Sequence, residues 1–268
     1  MDQRQKNTSF PPDQNSVSVI PLGGIEDVTK NMYLYIYRNE ILIVDCGIGF
    51  ADETMLGVDL LLPDISYLLK TDKKIVGMVL THGHEDHIGA TPFILPQLPN
   101  FPVYASPFTA ALTNEKLREF RVQRNVQAVE FDGKELAIGS FKVSFNRVTH
   151  SVPDTANIFI KTPMGNFFHG SDYKYDLTPA DGKDTDFLKI AKSGSAFLPD
   201  PGHWFQLMRR SYLNSSHQGG CCVLRICFLI WPPWYQNQES GCQPLSPLGN
   251  GFSACLPVWR SHMGVCQR

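Results

Sequence analysis

The sequence predicts an α/β fold in which helices pack outside two facing β-sheets. Three observations predict it: β-branched and aromatic runs near the N-terminus, helical segments around an apolar strand in the middle, and a second series of short apolar runs up to about residue 170. With 268 residues and 43% hydrophobic content, the chain can fill a core of this size. We expect residues 17–200 to form this domain, behind a disordered segment at residues 1–16.

The first sheet is predicted from three closely spaced runs, which are VSVIPLGG (17–24), MYLYIYRN (32–39) and EILIVDCG (40–47). They are rich in β-branched and aromatic residues, which favour strands. Almost nothing separates the last two runs, so a tight turn at Arg38-Asn39-Glu40 joins them. The N-terminal part of the sheet is therefore expected to be antiparallel.

Helices and strands alternate in the middle of the chain. The predicted elements are a helix around Ile65 to Leu69, the apolar strand IVGMVL (75–80), a helix from near His87 to about Leu95, a strand at 102–106 and a helix at 108–120. Short strands follow at 126–131, 134–139, 141–150, 156–162 and 165–170. This second run of strands supplies the second sheet.

The stretch THGHEDHIGA (81–90) follows the apolar strand at 75–80 directly and places three histidines, a glutamate and an aspartate within six positions. Strand ends that feed a loop are where α/β sheets place their sites, and imidazole and carboxylate are metal ligands. In an extended segment, His82 and His84 project to the same side and can reach one ion. Asp86 and His87 follow as the chain bends into a helix and can face a second ion. The spacing predicts two adjacent metals.

The stretch T-H-G-H-E-D-H-I-G resembles the signature H-x-H-x-D-H of the metallo-β-lactamase superfamily, and the surrounding sequence is similar to ribonuclease J, of the β-CASP group. The similarity covers about residues 17–200. It includes PLGG (21–24), KNMYLY (30–35), VDCG (44–47), MLGVDLLLPD (55–64), HSVPDTANIFIKTPMGNFFHGSDYKYD (150–176) and TPADGKDTD (178–186). The resemblance implies the N-terminal part of a metallo-β-lactamase αββα sandwich.

The resemblance also implies a role for each matching residue. The first zinc would be held by His82, His84 and His150, and the second by Asp86 and His87, which are also the implied catalytic residues. Asp172 would bridge the two ions, and Asp45 would orient the metal-binding loop without binding a metal. The family has one more histidine on the second metal, beyond an inserted β-CASP domain, and this sequence shows no match to it. His203, His217 and His262 remain, but none follows a strand-like run.

The activity implied by the resemblance is hydrolysis of RNA phosphodiester bonds, as a 5′ exonuclease with some endonucleolytic cleavage. Two Zn²⁺ ions would supply the nucleophile and stabilise charge at phosphorus, with Mn²⁺ as an alternative metal. Without the final histidine and the β-CASP domain, we expect a weakened second site and impaired nuclease activity. Two other hypotheses remain: a small-molecule metallo-hydrolase of the same fold, and a non-catalytic fragment or subunit.

The composition changes near residue 200. All four tryptophans and six of the seven cysteines follow Pro199, no lysine follows Lys192, and residues 201–268 show no sustained helical or strand period. A natural disordered tail would be rich in lysine, glutamate and serine. We therefore favour a shift of the coding frame, or an equivalent gene error, over a poorly ordered extension or a cysteine-rich metal module. This Cys/Trp-rich tail is not expected to fold natively.

The net charge of −2 gives no overall electrostatic attraction to nucleic acid or to an anionic membrane. No apolar segment follows the N-terminal charges as in a secretory signal, and no apolar run is long enough to span a bilayer. The sequence predicts a cytoplasmic location without membrane association. The resemblance implies RNA as the substrate and a homo-oligomer in the full-length family.

Overall fold

The computed structural model of the protein describes residues 16–25, 28–174, 176 and 178–192, and the backbone of residues 193–195 and 227–230. These residues belong to one compact unit, Met1–Pro233, whereas the second unit, Trp234–Arg268, lies outside the described part. The predicted disordered segment, apart from Ser16, and most of the predicted Cys/Trp-rich tail also lie outside it.

The first sheet has six strands in the order β1-β2-β3-β6-β7-β8. These strands are β1 (Val17–Gly23), β2 (Met32–Tyr37), β3 (Glu40–Val44), β6 (Lys74–Leu80), β7 (Val103–Ala105) and β8 (Val126–Ala128). The pairs β1-β2 and β2-β3 are antiparallel, as predicted, and β3, β6, β7 and β8 pair in parallel. A turn at Arg38 and Asn39 joins β2 to β3, and the positive φ of 52° at Arg38 is typical of such a tight turn.

The second sheet has five antiparallel strands in the order β13-β12-β11-β10-β9. They are β9 (Leu136–Ile138), β10 (Phe141–Arg147), β11 (Ala156–Thr162), β12 (Gly165–His169) and β13 (Cys227–Ile230). Four of them confirm predicted strands of the second sheet, whereas assigning the run at 126–131 to this sheet was wrong, because β8 pairs in parallel with β7 of the first sheet. The fifth, β13, is a short backbone pairing contributed from the tail. A third, two-stranded antiparallel sheet consists of β4 (Gly49–Phe50) and β5 (Leu60–Leu61).

The helices are short except for one. They are α1 (Ser66–Lys70), α2 (Glu85–Ile88), α3 (Thr91–Ile94), a 3-10 helix (Leu95–Gln97), α4 (Pro107–Glu119) and α5 (Phe187–Ser195). Among the described residues, no helix has both the length and the apolar character needed to cross a membrane.

Two apolar clusters divide the domain into layers. The alternation along β2 shows why, since Met32 and Leu34 join a cluster with the buried faces of α1, α3 and α4, whereas Tyr33 and Tyr35 face the second sheet. The second sheet contributes alternate residues such as Phe145 to the cluster between the sheets. On the far side, α5 is tied to β10 by the Lys189 ammonium, which donates to the Phe145 carbonyl at 2.6 Å. Helices therefore cover both outer faces, as predicted for the αββα sandwich.

The predicted continuous helix from near His87 to about Leu95 is wrong. The structure has two four-residue helices and a 3-10 turn in this region. The backbone N–H of Ala90 donates to the Cys46 carbonyl at 2.9 Å, so it does not continue the helix to the carbonyl of Asp86. That carbonyl instead accepts from the backbone N–H of Asn31 at 3.0 Å. Tertiary hydrogen bonds thus replace the helical ones and end α2 after one turn.

Candidate metal centre

Ring nitrogen atoms of three predicted metal ligands lie within 4.8 Å of one another, and these ligands are His82, His84 and His150. His84 is central, because its Nδ1 lies 3.0 Å from Nε2 of His82 and 3.1 Å from Nε2 of His150. The first two follow β6, and His150 follows β10 on the other sheet. The structure therefore brings together the group expected for the first ion, with nitrogen atoms converging from both sheets.

A second group contains His82, His87 and Asp172, and all three side chains are buried. The Oδ2 atom of Asp172 lies 3.7 Å from Nε2 of His87 and 3.9 Å from Nε2 of His150. Asp86 is adjacent, with its Oδ2 3.5 Å from Nε2 of His87. The Asp172 carboxylate, which belongs to the second group, thus also approaches His150 of the first group. His82 belongs to both groups, whereas the sequence reasoning assigned His82 to the first ion.

Asp45 lies behind the ligands. It is fully buried at the end of β3, with a positive φ of 63°, and its Oδ2 lies 2.7 Å from Nδ1 of His87. The carboxylate also accepts hydrogen bonds from the backbone N–H and the hydroxyl of Thr81, at 2.8 and 2.9 Å. The carboxylate accepts a hydrogen bond from Nδ1–H of His87, and Nε2 of the ring points toward Asp86 and Asp172.

Sequence reasoning did not identify Thr81 and Ser171 as parts of the site. Because the Thr81 hydroxyl donates to Asp45, its oxygen accepts from the Ser171 hydroxyl at 2.8 Å and from Nδ1 of His82 at 3.0 Å. His82 therefore carries its proton on Nδ1 and presents Nε2 to His84. Thr81 lies directly before the histidine motif, at the end of a buried strand. This position is the feature of the sequence that could have indicated its role.

The sequence model of the beta-lactamase superfamily domain matches residues 40–183, which include every residue of both groups and Asp45. The chain belongs to this superfamily. Curated relatives include ribonuclease J of Thermus thermophilus, 40% identical over 189 residues that cover 68% of this chain and 33% of that protein. Ribonuclease J 1 of Streptococcus pyogenes is also 40% identical, over 70% of this chain and 33% of that protein.

Ribonuclease J2 of Bacillus subtilis is 36% identical over 194 residues, which cover 72% of this chain and 34% of that protein. The chain therefore spans about a third of the length of these curated relatives. Within that span, the fold predicted from the resemblance is confirmed as the metallo-β-lactamase fold of the superfamily.

The superfamily fold implies divalent-metal binding, and the donor set of this chain fits a divalent ion. Imidazole nitrogens and carboxylate oxygens are ligands of zinc and manganese. Burial is the main cause that lowers the pKa of His150, to about 4, and burial likewise lowers the pKa of His84. Both rings are therefore neutral at neutral pH, which is the form that binds a metal.

The electrostatics of His87 are different. Burial by itself lowers the pKa of this ring, but the carboxylates of Asp45, Asp172 and Asp86 act in the opposite direction and leave the pKa well above its usual value. Three acidic groups thus surround one imidazole in a buried site. An excess of buried negative charge is a setting in which a cation is favourable.

Asn31, at the start of β2, was also missed by sequence reasoning. It is fully buried, and its side-chain nitrogen lies 3.0 Å from Nε2 of His87. The same nitrogen donates to the backbone carbonyl of Asp86 at 2.9 Å and to its Oδ2 at 3.2 Å. Asn31 lies 55 residues from Asp86, so no local spacing in the sequence could have connected them.

Gly47 allows the chain after β3 to approach α2 closely. A β-carbon at Gly47 would overlap the carbonyl oxygen of Asp86 and lie 2.6 Å from the His87 nitrogen, and both of these are backbone atoms that cannot rotate away. We expect Gly47→Ala to lower the free energy of unfolding by about 1–3 kcal/mol, as overpacking does. Urea denaturation of the metal-free chain measures the change.

Gly83→Ala is the matched control for this prediction. Its β-carbon would lie 3.0 Å from the flexible end of Leu112 and 3.6 Å from the Phe108 ring, with no backbone atom among these contacts, so a smaller loss of stability is expected. An equal loss in both variants would show that Gly47 is not constrained by the contact with α2.

Proposed function

We propose that this chain is the catalytic metallo-hydrolase domain of a ribonuclease J-type enzyme, which hydrolyses RNA phosphodiester bonds. The observation that carries the proposal is the pair of overlapping His/Asp groups, with His82 in both and the Asp172 carboxylate between them. Adjacent metal sites of this kind suit displacement at phosphorus. The choice of RNA is supported by the relatives named ribonuclease J.

Each predicted ligand has a role in this proposal. The first ion would be held by His82, His84 and His150, the second by Asp86 and His87, and Asp172 would contribute to both. We propose Zn²⁺ for both ions, with Mn²⁺ as the alternative that carboxylate and imidazole ligands also accept. Cleavage would proceed from the 5′ end, with some internal cutting. The domain boundary near residue 200 stays a prediction.

When bound, a pair of divalent ions supplies a nucleophile at neutral pH and neutralises charge that develops on a phosphodiester. The residues of the chain prepare the site for this chemistry. Asp45 holds the His87 ring through Nδ1, and Thr81 and Ser171 hold the His82 ring in the same way. These contacts fix the direction of the ligand nitrogen atoms before an ion arrives, which reduces the cost of binding it.

The proposal predicts metal-dependent hydrolysis of a minimal phosphodiester by the 268-residue chain. Bis(p-nitrophenyl) phosphate is a suitable substrate, because it requires no extended RNA-binding surface. We expect its hydrolysis with zinc or manganese, none after dialysis against a chelator, and recovery when the ion is returned. Release of nitrophenol measures the rate.

His84→Ala serves as the inactive control, because it removes the ring that contacts both His82 and His150. A labelled RNA oligonucleotide and its DNA counterpart then test the substrate class, with slow but preferential cleavage of RNA expected, because the sequence shows no match to the final metal histidine. Hydrolysis of a β-lactam or a thioester, with no cleavage of either phosphodiester, would contradict the proposal and support a small-molecule hydrolase of the same fold.

A further inference from the structure

Asn31 lies between α2, which carries Asp86 and His87, and the chain after β3, which carries Asp45. Its backbone N–H donates to the Asp86 carbonyl at 3.0 Å, and its own carbonyl accepts from the backbone N–H of Gly47 at 2.9 Å. The residue thus joins the start of β2 to α2 and to the chain after β3. The helix that carries Asp86 and His87 has only four residues, so it depends on such outside contacts for its position.

The side chain of Asn31 adds a second level of contact. Its nitrogen donates to the Asp86 carbonyl and to Asp86 Oδ2, and lies 3.0 Å from Nε2 of His87. A further contact to the Val28 carbonyl, at 3.2 Å, comes from the same nitrogen. The side-chain oxygen is buried without a hydrogen-bond partner in the part of the chain that the structure describes. The nitrogen alone therefore fixes the orientation of the amide.

We propose that Asn31 is a positioning residue for the second ion, because its amide nitrogen holds the Asp86 carboxylate beside Nε2 of His87. This inference depends on the proposed two-metal site. An unrestrained carboxylate on the exposed side of a short helix would have to be ordered when the ion binds, and that ordering reduces affinity. No hydrogen bond joins Asn31 to His84 or His150 among the described residues, so the first ion is not expected to depend on it.

The test is a Zn²⁺ titration of the metal-free chain. Binding is measured by calorimetry and, independently, by competition with a chromophoric chelator. We expect two binding steps in the unsubstituted chain, the second weaker than the first because the sequence shows no match to the final metal histidine. Asn31→Ala should weaken the second step by about 10–100-fold, the usual effect of removing a residue that orients a ligand, and leave the first unchanged. Asn31→Leu, which keeps the number and branching of the side-chain heavy atoms, should do the same if the alanine variant folds poorly.

Asn114→Ala is the matched control, because Asn114 also binds backbone through its side chain, accepting from the Val126 N–H and donating to the Val126 carbonyl, away from both groups. It should alter neither step. Thermal unfolding of each metal-free variant separates positioning from folding.

Several outcomes would overturn the inference. Equal weakening of both steps, together with a lower melting temperature of the metal-free Asn31 variants, would show that Asn31 acts only on folding. Unchanged binding would show that Asp86 needs no support. A single binding step in the unsubstituted chain would show that no second ion binds and would contradict the proposed two-metal function itself. This outcome is therefore distinguishable from the other two.

Discussion

Asp45→Ala is expected to lower the free energy of unfolding by about 3–5 kcal/mol, the cost of breaking a buried ion pair by removing one partner. The Asp45 carboxylate is fully buried and holds Nδ1 of His87 at 2.7 Å, and it accepts two hydrogen bonds from Thr81. Without it, the imidazole and the Thr81 donors stay buried and lose their acceptor. Alanine is also disfavoured at the positive φ of 63°.

Urea denaturation of the metal-free chain measures this effect, in chelator to exclude ions. Asp45→Asn should cost less, because asparagine tolerates a positive φ and its oxygen can still accept from the Thr81 backbone N–H. Asp132→Ala is the control for removing an acidic residue, since Asp132 is on the surface. A loss in Asp45→Ala of only about 0.5 kcal/mol, as at an ordinary surface position, would show that the buried pair contributes little.

The first sheet was predictable because its strands are continuous apolar runs. Residues 32–37 and 41–44 are buried on both faces of the sheet, so each of these positions is hydrophobic and the two strands stand out from the polar turn between them. The segment after His87 was not predictable in the same way. Its periodicity suits a helix, but the Cys46 carbonyl captures the Ala90 N–H and interrupts it. Such competition depends on tertiary structure, which local sequence does not contain.

The residues of the candidate site likewise differ in how far the sequence could predict them. His82, His84, Asp86 and His87 could be found from their spacing, because all four lie within six consecutive positions. His150 and Asp172 arrive from the second sheet, and only the resemblance to a known family connected them to the loop. Asn31 and Ser171 make their contacts through hydrogen bonds with residues 55 to 90 positions away, and neither has a side chain typical of a metal ligand. Residues that orient ligands leave a weaker trace in sequence than the ligands themselves.

Asp172→Asn is expected to weaken the binding of both ions, by more than the roughly 10–100-fold that follows the loss of an orienting residue. The reason is the position of its Oδ2, which lies 3.7 Å from Nε2 of His87 in the second group and 3.9 Å from Nε2 of His150 in the first. Asparagine keeps the shape of the side chain but removes the charge that would be shared between two cations. Equilibrium dialysis at a fixed free Zn²⁺ concentration, followed by elemental analysis, gives the metal content of each variant.

Asp86→Asn distinguishes a shared carboxylate from one that serves a single ion. Asp86 Oδ2 lies 3.5 Å from Nε2 of His87, which belongs to the second group and not to the first. We therefore expect this variant to lose only the second ion and to keep about one ion per chain, whereas Asp172→Asn keeps less than one under the same conditions. If the two variants retain the same metal content, Asp172 does not bridge the two ions. A carboxylate that binds only one ion should affect metal content no more than Asp86 does.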